Sequence, residues 1–210
     1  MAHVPAEQRR QELIAAAFRV MARVGVSAAS TRAICTEAGV PQSAFHYCFR
    51  SKEELLQGLT RVVVADMVET AVGALSPGAD LEQSIRNGLD SLWRLTTAEP
   101  ERQLVLYELT TVALRDPNLS DLARWQYEQY FQATETFLTK LAEAAGTQWT
   151  LPIPVLSRML TTVIDGLILN WLTDRDTEQA HAVLDSFATL FTGLAVETKK
   201  PKAKRRPAAV

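Results

Sequence analysis

Residues 30–55 decide the fold of this chain, and they read STRAICTEAGVPQSAFHYCFRSKEEL. Ser30 is a suitable N-cap for a short helix over 31–38, because its side chain can accept a hydrogen bond from a backbone amide of the first turn. Gly39 ends that helix, since glycine adopts the positive φ that a tight turn requires. A second short helix follows over 42–49. The two helices and the turn between them predict a helix-turn-helix.

Longer helices flank this unit on both sides. Apolar residues at three- and four-residue spacing predict an amphipathic helix over 7–24, which Gly25 ends. Ser51 to Glu54 reads Ser-Lys-Glu-Glu, a capping box that begins a long helix to about residue 75. In a helix-turn-helix the second short helix lies in the DNA major groove while the first crosses the backbone. We therefore expect a three-helix head that binds DNA.

Helical periodicity continues along the rest of the chain, and no convincing alternation with a period of two indicates a strand. Proline and glycine breaks divide this part into helices over about 80–98, 101–115, 120–145, 155–172 and 177–196. The sequence thus predicts an all-α chain of about nine helices. A three-helix helix-turn-helix head occupies residues 1–52, a six-helix body occupies 53–197, and a disordered basic tail occupies 198–210.

The net charge of −2 hides a strong asymmetry along the chain. Residues 1–52 hold seven basic and three acidic side chains, whereas residues 53–197 hold nine basic and twenty-one acidic ones. A head of charge +4 on a body of charge −12 favours contact between the head and a polyanion such as DNA. Residues 199–206 add six basic side chains, which either attract DNA without sequence preference or only keep the chain soluble.

Composition and spacing exclude several other classes of protein. No apolar run approaches the roughly 18 residues that span a bilayer, and the polar N-terminus does not fit a signal peptide. We therefore expect a cytoplasmic protein without membrane contact, whose two cysteines are reduced. Neither metal-ligand spacing, nor a phosphate-binding loop, nor a nucleophile elbow is found. No metal, cofactor or enzymatic activity is expected.

The second short helix and its flanks carry the candidates for DNA contact. Ala44, Phe45 and Phe49 are predicted to pack against the first helix, which leaves the other face of the short helix free. Arg32 and Lys52 stand near helix N-termini, where they are placed for phosphates. A glutamine amide can bond adenine N6 and N7 together, as base recognition requires. The candidates for DNA contact are Arg32, Gln42, Ser43, His46, Tyr47 and Lys52.

The segment from Arg9 to Leu55 resembles the DNA-binding domain of TetR-family transcriptional regulators. The residues that carry this resemblance are Ile14 to Phe18, Gly25, Ser30 to Ile34, Glu37 to Val40, Ala44, Phe45, Phe49 and Ser51 to Leu55. Residues 109–119 and the helix after them are similar to the BetI-like subgroup. The resemblance implies a homodimeric repressor that binds a palindromic double-stranded operator. It also implies that a small-molecule effector binds between the body helices and releases the DNA.

The body helices carry the candidates for an effector pocket, which needs mostly apolar walls with a few placed polar groups. Ordinary core packing is the alternative for each of them. Glu108 and Thr111 are spaced i and i+3 on one helix, so they can face one bound molecule. A buried carboxylate needs a donor, so we expect a largely apolar effector with at least one donor or cationic group. The pocket candidates are Trp93, Leu104, Tyr107, Glu108, Thr111, Trp125, Tyr127, Asn170 and Trp171.

The last two predicted helices carry more apolar surface than one layer of the body can hide. Pairing with a second copy into a four-helix interface would bury this surface. The predicted interface residues are Val155, Met159, Val163, Leu167, Val183, Leu184, Phe187, Leu190 and Phe191.

These features together predict a ligand-responsive repressor, in which residues 1–52 bind DNA and residues 53–197 bind the effector and dimerise. One alternative is an all-α protein-interaction module with a vestigial DNA-binding head. The charge of the head favours DNA over that alternative. A small-molecule enzyme is a further alternative, and the lack of any catalytic constellation opposes it.

Overall fold

A computed structural model describes residues 5–76 and 78–197. This part of the chain forms nine α-helices, a 3-10 turn at Pro117–Leu119 and two three-residue strands, which confirms the predicted all-α fold. The predicted basic tail lies outside the described residues. The helices are α1 (Ala6–Val24), α2 (Thr31–Glu37), α3 (Gln42–Cys48), α4 (Lys52–Gly73), α5 (Leu81–Ala98), α6 (Pro100–Ala113), α7 (Ser120–Ala145), α8 (Ile153–Asp174) and α9 (Thr177–Thr192).

Side-chain caps fix the starts of α2 and α4 at the predicted positions. The Ser30 hydroxyl accepts a hydrogen bond from the Ala33 amide at 3.1 Å, and the Ser51 hydroxyl accepts one from the Glu54 amide at 3.1 Å. The second cap differs from a capping box in one respect. The Glu54 carboxylate accepts its hydrogen bond from the Arg50 amide at 2.8 Å, one residue before the N-cap. The cap therefore also holds the turn between α3 and α4.

Two short strands correct the prediction of a strand-free chain. Strand β1 (Thr147–Trp149) pairs antiparallel with β2 (Ala195–Glu197), so the last helix ends at Thr192 and not at residue 196. Three residues are too few for a visible alternation of apolar and polar side chains. The pairing also joins segments far apart in sequence, which local periodicity cannot register. The strands hold residues 195–197 beside the segment that precedes α8.

The helices pack around two apolar cores. The first core is enclosed by α1 to α4 and also receives Leu109 of α6 and Leu122 of α7, both fully buried. It therefore crosses the predicted boundary after residue 52, and the head does not pack on its own. The second core lies between α5, α7, α8 and α9, where the rings of Trp93 and Trp171 meet edge-on with centroids 5.5 Å apart.

Helix α8 is the one described helix whose length and apolar composition would suffice to cross a membrane. One third of that apolar segment is buried inside this single chain. Its buried side supplies Leu156, Leu160 and Ile168 to the second core.

Candidate functional site

Helix α3 presents one polar face to solvent. Gly39 has φ +68° in the turn before it, and a Cβ there would meet no atom within 4 Å, so the turn uses glycine for its backbone conformation alone. Phe45 and Phe49 are buried at 1% exposure, which fixes the rotation of α3 about its axis. The predicted DNA-contact residues of α3 all lie on the outer face and are exposed: Gln42, Ser43, His46 and Tyr47.

Arg10 of α1 holds the C-terminal end of α3 in place. Its guanidinium donates to the Cys48 carbonyl and lies over the Phe49 ring, 4.3 Å from the centroid. The same group lies 3.3 Å from Glu54 Oε1 at the start of α4. The Arg50 amide and then the Arg10 guanidinium lower the pKa of Glu54. The polar face of α3 is therefore held by contacts to both neighbouring long helices.

The basic residues of the head divide into paired and unpaired ones. Arg19 and Arg23 both bind Glu37, at 2.8 and 3.0 Å, and these two guanidinium groups lower the pKa of that carboxyl. Arg32 is exposed and has no ion-pair partner among residues 5–76 and 78–197. Arg50 is likewise exposed beside α3, although sequence analysis did not select it. Its position directly after the second short helix was the signal for it.

Lys52 is engaged within the chain, and its predicted contact with a phosphate stays a prediction. Its ammonium donates to the Val26 carbonyl at 2.8 Å, inside the loop that joins α1 to α2. Burial lowers the pKa of Lys52, while the negative charge of Glu108 acts in the opposite direction. The sequence shows the position of Lys52 at a helix N-terminus, but not the loop that folds against it.

Glu108 is also placed differently from its prediction, since it faces the head and not a pocket. Its Oε1 accepts a hydrogen bond from the Val26 amide at 2.9 Å. Gly25 has φ +85°, a conformation that favours glycine, and a Cβ there would lie 2.9 Å from the same oxygen, so glycine suits both the backbone and the approach of the carboxylate. Loop residues lack helical hydrogen-bond partners, and Glu108 and Lys52 satisfy both backbone groups of Val26. We call these three residues the Val26 clamp.

A cavity opens inside the body between α4, α5, α6, α7 and α8. The space between its walls is about 810 Å³, part of which is open to solvent. The walls are mostly apolar, with Met67, Leu106, Phe137 and Ile168 from four different helices. Mostly apolar walls with a few polar groups are typical of small-molecule sites.

The predicted pocket residues are distributed over three environments. Those that line the cavity are Tyr107 and Tyr127. Those packed in or against the two apolar cores are Trp93, Trp125 and Trp171. Those exposed on the surface are Leu104, Thr111 and Asn170. Helical spacing predicts which residues share a face but not which neighbouring helix covers that face, so these six are corrected.

Asp165 of α8 is the one charged residue among the described cavity walls. Its Oδ2 accepts a hydrogen bond from the Tyr127 hydroxyl at 2.9 Å, and its backbone carbonyl accepts one from the Tyr107 hydroxyl at 2.9 Å. Burial raises the pKa of the Asp165 carboxyl, and the Tyr127 hydrogen bond acts in the opposite direction. Sequence analysis missed this residue. A single acid inside the apolar segment TTVIDGLILNW, residues 161–171, was the available signal.

Three further polar residues of the cavity bind one another. Gln126 is buried, and its side-chain amide donates to the Tyr130 hydroxyl at 2.9 Å. Its Oε1 accepts a hydrogen bond from the Thr110 hydroxyl at 3.2 Å. Burial raises the pKa of Tyr107, Tyr127 and Tyr130, so that all three hydroxyl groups stay protonated at neutral pH. The cavity therefore offers neutral donors and acceptors around one carboxylate.

The outer face of α8 and α9 carries exposed apolar side chains. The predicted interface residues on this face are Val155, Met159, Val183 and Leu190, with Val163 and Phe187 half-buried. The prediction is wrong for Leu167, Leu184 and Phe191, which are buried in the second core of the same chain. Leu169 of α8 is 53% exposed and was not among the predicted interface residues. Apolar stripes on both sides of a helix look alike in sequence, which explains these errors.

Metal-ligand clusters and reactive thiols were also sought among the described residues. No group of three or more His, Cys, Asp or Glu side chains within residues 5–76 and 78–197 can hold a metal ion. Cys35 and Cys48 are buried, and burial raises the pKa of both thiols. They are therefore packing residues of the first core.

Comparisons with known proteins match most of the chain. The family model described as "Bacterial regulatory proteins, tetR family" matches residues 13–59. The model described as "Tetracyclin repressor-like, C-terminal domain" matches residues 79–193. The similarity to the BetI-like subgroup is not among these matches and stays a prediction.

Curated relatives align over nearly their full length. The nicotine-responsive transcriptional repressor HdnoR of Paenarthrobacter nicotinovorans is 30% identical over 183 residues, which cover 87% of this chain and 93% of the relative. The transcriptional repressor AcnR of Corynebacterium diphtheriae is 30% identical over 182 residues, which cover 84% of this chain and 88% of the relative.

Solved structures share the fold. A putative TetR-family regulator from Rhodococcus sp. superposes with a TM-score of 0.75 at 16% identity, over 89% of this chain and 99% of that one. FadR from Bacillus subtilis, in complex with stearoyl-CoA, superposes with a TM-score of 0.68 at 18% identity, over 87% of this chain and 97% of that one. The two family matches and the identity to curated repressors lead to one conclusion. The chain belongs to the TetR family and is a DNA-binding transcriptional regulator, not an enzyme.

Proposed function

We propose that this chain is a homodimeric repressor that a small molecule releases from its operator by entering the body cavity. The observation that carries the proposal is the position of α6. Tyr107 of this helix lines the cavity, and the next residue, Glu108, binds the Val26 amide in the head. One helix thus touches both the cavity and the DNA-binding unit.

DNA recognition is assigned to α3 and to the basic residues around it. Gln42 and Tyr47 are exposed at opposite ends of the polar face, where they can reach base edges in the major groove. Arg32 and Arg50 are exposed and flank this face along the chain, so they can bind phosphates. In this assignment, residues 1–52 form the DNA-binding unit, although its core continues into the body.

The exposed face of α8 and α9 is assigned to the dimer interface. A two-fold pair of these helices would bury side chains such as Leu169 and Leu190, which water otherwise contacts. The same symmetry would present two α3 helices to successive major grooves of a palindromic operator, about 34 Å apart. Residues 53–197 therefore hold both the interface and the cavity. We place the regulator in the cytoplasm, where its DNA lies.

Release of the operator would follow from a shift of α6 and α4. The Tyr107 hydroxyl joins α6 to the Asp165 carbonyl on α8. A ligand that enters the cavity would disturb this hydrogen bond and displace α6. Glu108 then moves relative to Lys52, and the Val26 clamp transmits the shift to the loop between α1 and α2. Two heads that no longer match successive grooves lose operator affinity. The nicotine-responsive repressor among the relatives supports control by a small molecule.

The test is DNase I footprinting of the full chain on the DNA that flanks its own gene. We expect a protected palindrome for the wild type and loss of protection for the double variant Gln42→Ala, Tyr47→Ala. The matched control is Gln132→Ala, an exposed glutamine on α7, which should protect the DNA like the wild type. Equal protection by the double variant would refute the role of α3. No protected DNA at all would favour a protein-interaction module with a vestigial head.

A further inference from the structure

The cavity combines an apolar enclosure with a single negative charge. Its walls come from five helices, and Asp165 is their one charged member among the described residues. No lysine, arginine or histidine from this part of the chain lines the cavity. A carboxylate in such surroundings is costly unless a partner compensates its charge. The partner is therefore to be sought in a ligand.

The contacts within the protein compensate this carboxylate only in part. The Tyr127 hydroxyl donates to Oδ2 at 2.9 Å, and no ion pair to Asp165 is formed within residues 5–76 and 78–197. A neutral hydroxyl supplies one hydrogen bond and no charge. An ionised carboxylate has acceptor sites for about four hydrogen bonds, so it retains capacity for a further donor.

Aromatic rings border the same space. Tyr107, Tyr127 and Tyr130 line the cavity with Asp165, and the rings of Tyr127 and Tyr130 pack edge-on with centroids 5.6 Å apart. Tyrosine rings attract cations through their negative faces, and rings around a cation are the usual recognition site for quaternary and methylated ammonium groups. The Asp165 carboxylate and the tyrosine rings thus both favour a ligand that carries a cationic ammonium group.

We propose that the effector is an organic cation, an apolar molecule with one protonated amine, whose nitrogen binds the Asp165 carboxylate between the tyrosine rings. The apolar part of the molecule would lie against Met67, Leu106 and Phe137. This inference rests on the proposed function, in which the cavity is the effector site.

Other classes of ligand fit the cavity less well. A carboxylate or phosphate ligand would face Asp165 without any basic side chain from the described walls to offset the repulsion. A neutral hydrocarbon would exclude water from Asp165 and leave its charge without compensation. A protonated amine removes both costs, because it donates a charge-assisted hydrogen bond to the free carboxylate position.

The test uses a panel of arylalkyl tertiary amines that begins with N,N-dimethylbenzylamine. Each amine is paired with the hydrocarbon in which a CH group replaces the protonated nitrogen, which is isobutylbenzene for the first pair. A third series carries a carboxylate, beginning with 3-phenylpropanoate. Affinities are measured by calorimetry on the full chain at neutral pH, for the wild type, Asp165→Asn and Asp90→Asn. The last variant removes an exposed charge on α5 as a matched control.

We expect amines to bind the wild type at least tenfold more tightly than their hydrocarbon partners and the carboxylates. Asp165→Asn should abolish that preference, while Asp90→Asn should retain it. Tyr127→Phe keeps the ring and should stay within about threefold of the wild type, whereas Tyr127→Leu should lose most of the amine affinity. These four variants separate the contributions of the Asp165 charge, the Tyr127 hydroxyl and the Tyr127 ring to the affinity for amines.

Three outcomes would overturn the inference: hydrocarbons or carboxylates that bind the wild type as tightly as amines, a preference for amines that survives in Asp165→Asn, or no amine bound to the wild type at all. Operator binding is measured on the same preparations. If the operator binds while no amine does, the amine inference fails and the proposed repressor stands. If amines bind through Asp165 while no operator is found, the proposed function fails instead.

Discussion

Arg32 and Lys52 are basic residues of the head with different surroundings. Arg32 is exposed without an ion pair to any described residue, whereas Lys52 is half-buried and donates to the Val26 carbonyl. A side chain that neutralises one phosphate contributes about 0.9 to the slope of log K against log salt concentration. Only a free side chain can make that contribution without breaking an existing bond.

Arg32→Ala should therefore weaken binding to cognate and random duplexes alike and lower the salt slope by about one. Lys52→Met should leave the slope unchanged and lower the free energy of unfolding by about 1 kcal/mol through its lost hydrogen bond. Fluorescence anisotropy of a labelled duplex across salt concentrations measures the slope, and urea unfolding measures the stability. Arg94→Ala, an exposed change on α5, is the control. A slope lowered by Lys52→Met would mean that Lys52 leaves the Val26 clamp to bind phosphate.

The Asp165 carboxyl should also affect how the free energy of unfolding depends on pH. Burial raises the pKa of this carboxyl above its unfolded value. Between the two pKa values the folded chain binds more protons than the unfolded chain, so this group lowers the free energy of unfolding as pH rises. The titratable groups that face it are Tyr107, Tyr127 and Tyr130, which stay neutral because burial raises their pKa as well.

Asp165→Asn should accordingly stabilise the ligand-free chain by about 0.5–2 kcal/mol at pH 7, a range common for stabilising changes at functional sites. The asparagine oxygen still accepts from Tyr127. The advantage should vanish below the unfolded pKa of about 3.9. Chemical unfolding at several pH values measures it, with Asp90→Asn as the control. An advantage of the same size at every pH would exclude the charge as its cause.

At the scale of helices, α5 and α7 approach closely at one point. A Cβ on Gly88 would lie 2.6 Å from Cζ of Phe137, a buried ring that also lines the cavity. Glycine is here a packing residue, because it admits the ring against the helix backbone. The same contact sets one wall of the cavity.

Gly88→Ala should destabilise the chain despite the better helix propensity of alanine. Overpacking costs about 1–3 kcal/mol, and the propensity gain of about 1 kcal/mol offsets part of it. The Phe137 ring should also move into the cavity and weaken ligand binding. Gly73→Ala is the control, since a Cβ there meets no atom within 4 Å. Thermal unfolding of both variants decides the point, and a Gly88→Ala chain as stable as Gly73→Ala would contradict the packing described.

The helices themselves were predictable from sequence, because caps and apolar spacing are local signals. Ser30, Gly39 and Ser51 fix the ends of the head helices, and Phe45 fixes the outer face of α3. The cavity was less predictable, because its walls come from five helices whose neighbours no local pattern specifies. Asp165 was missed for this reason, and Glu108 was assigned to the wrong environment.

In the complete regulator, the proposed function requires a dimer that forms through α8 and α9. Leu190 on that face and Leu114 after α6 are both 72% exposed in the single chain, so they form a matched pair. Leu190→Glu should yield folded monomers with reduced operator affinity, because a buried unpaired charge opposes association. Leu114→Glu should remain dimeric. Sedimentation velocity measures the difference, and a dimer that survives Leu190→Glu would place the interface elsewhere.

In the proposed regulation, α6 couples the cavity to the DNA-binding face of α3. The most direct measurement is the affinity of the full dimer for its operator, without ligand and at saturation with the tightest cavity ligand. The account predicts that the ligand raises the operator Kd by about 5- to 150-fold, and that the operator raises the ligand Kd by the same factor. In Glu108→Ala, which removes the contact to Val26, both factors should shrink together. An operator Kd that does not change at saturating ligand would contradict the coupling and leave a DNA-binding protein with an unconnected cavity.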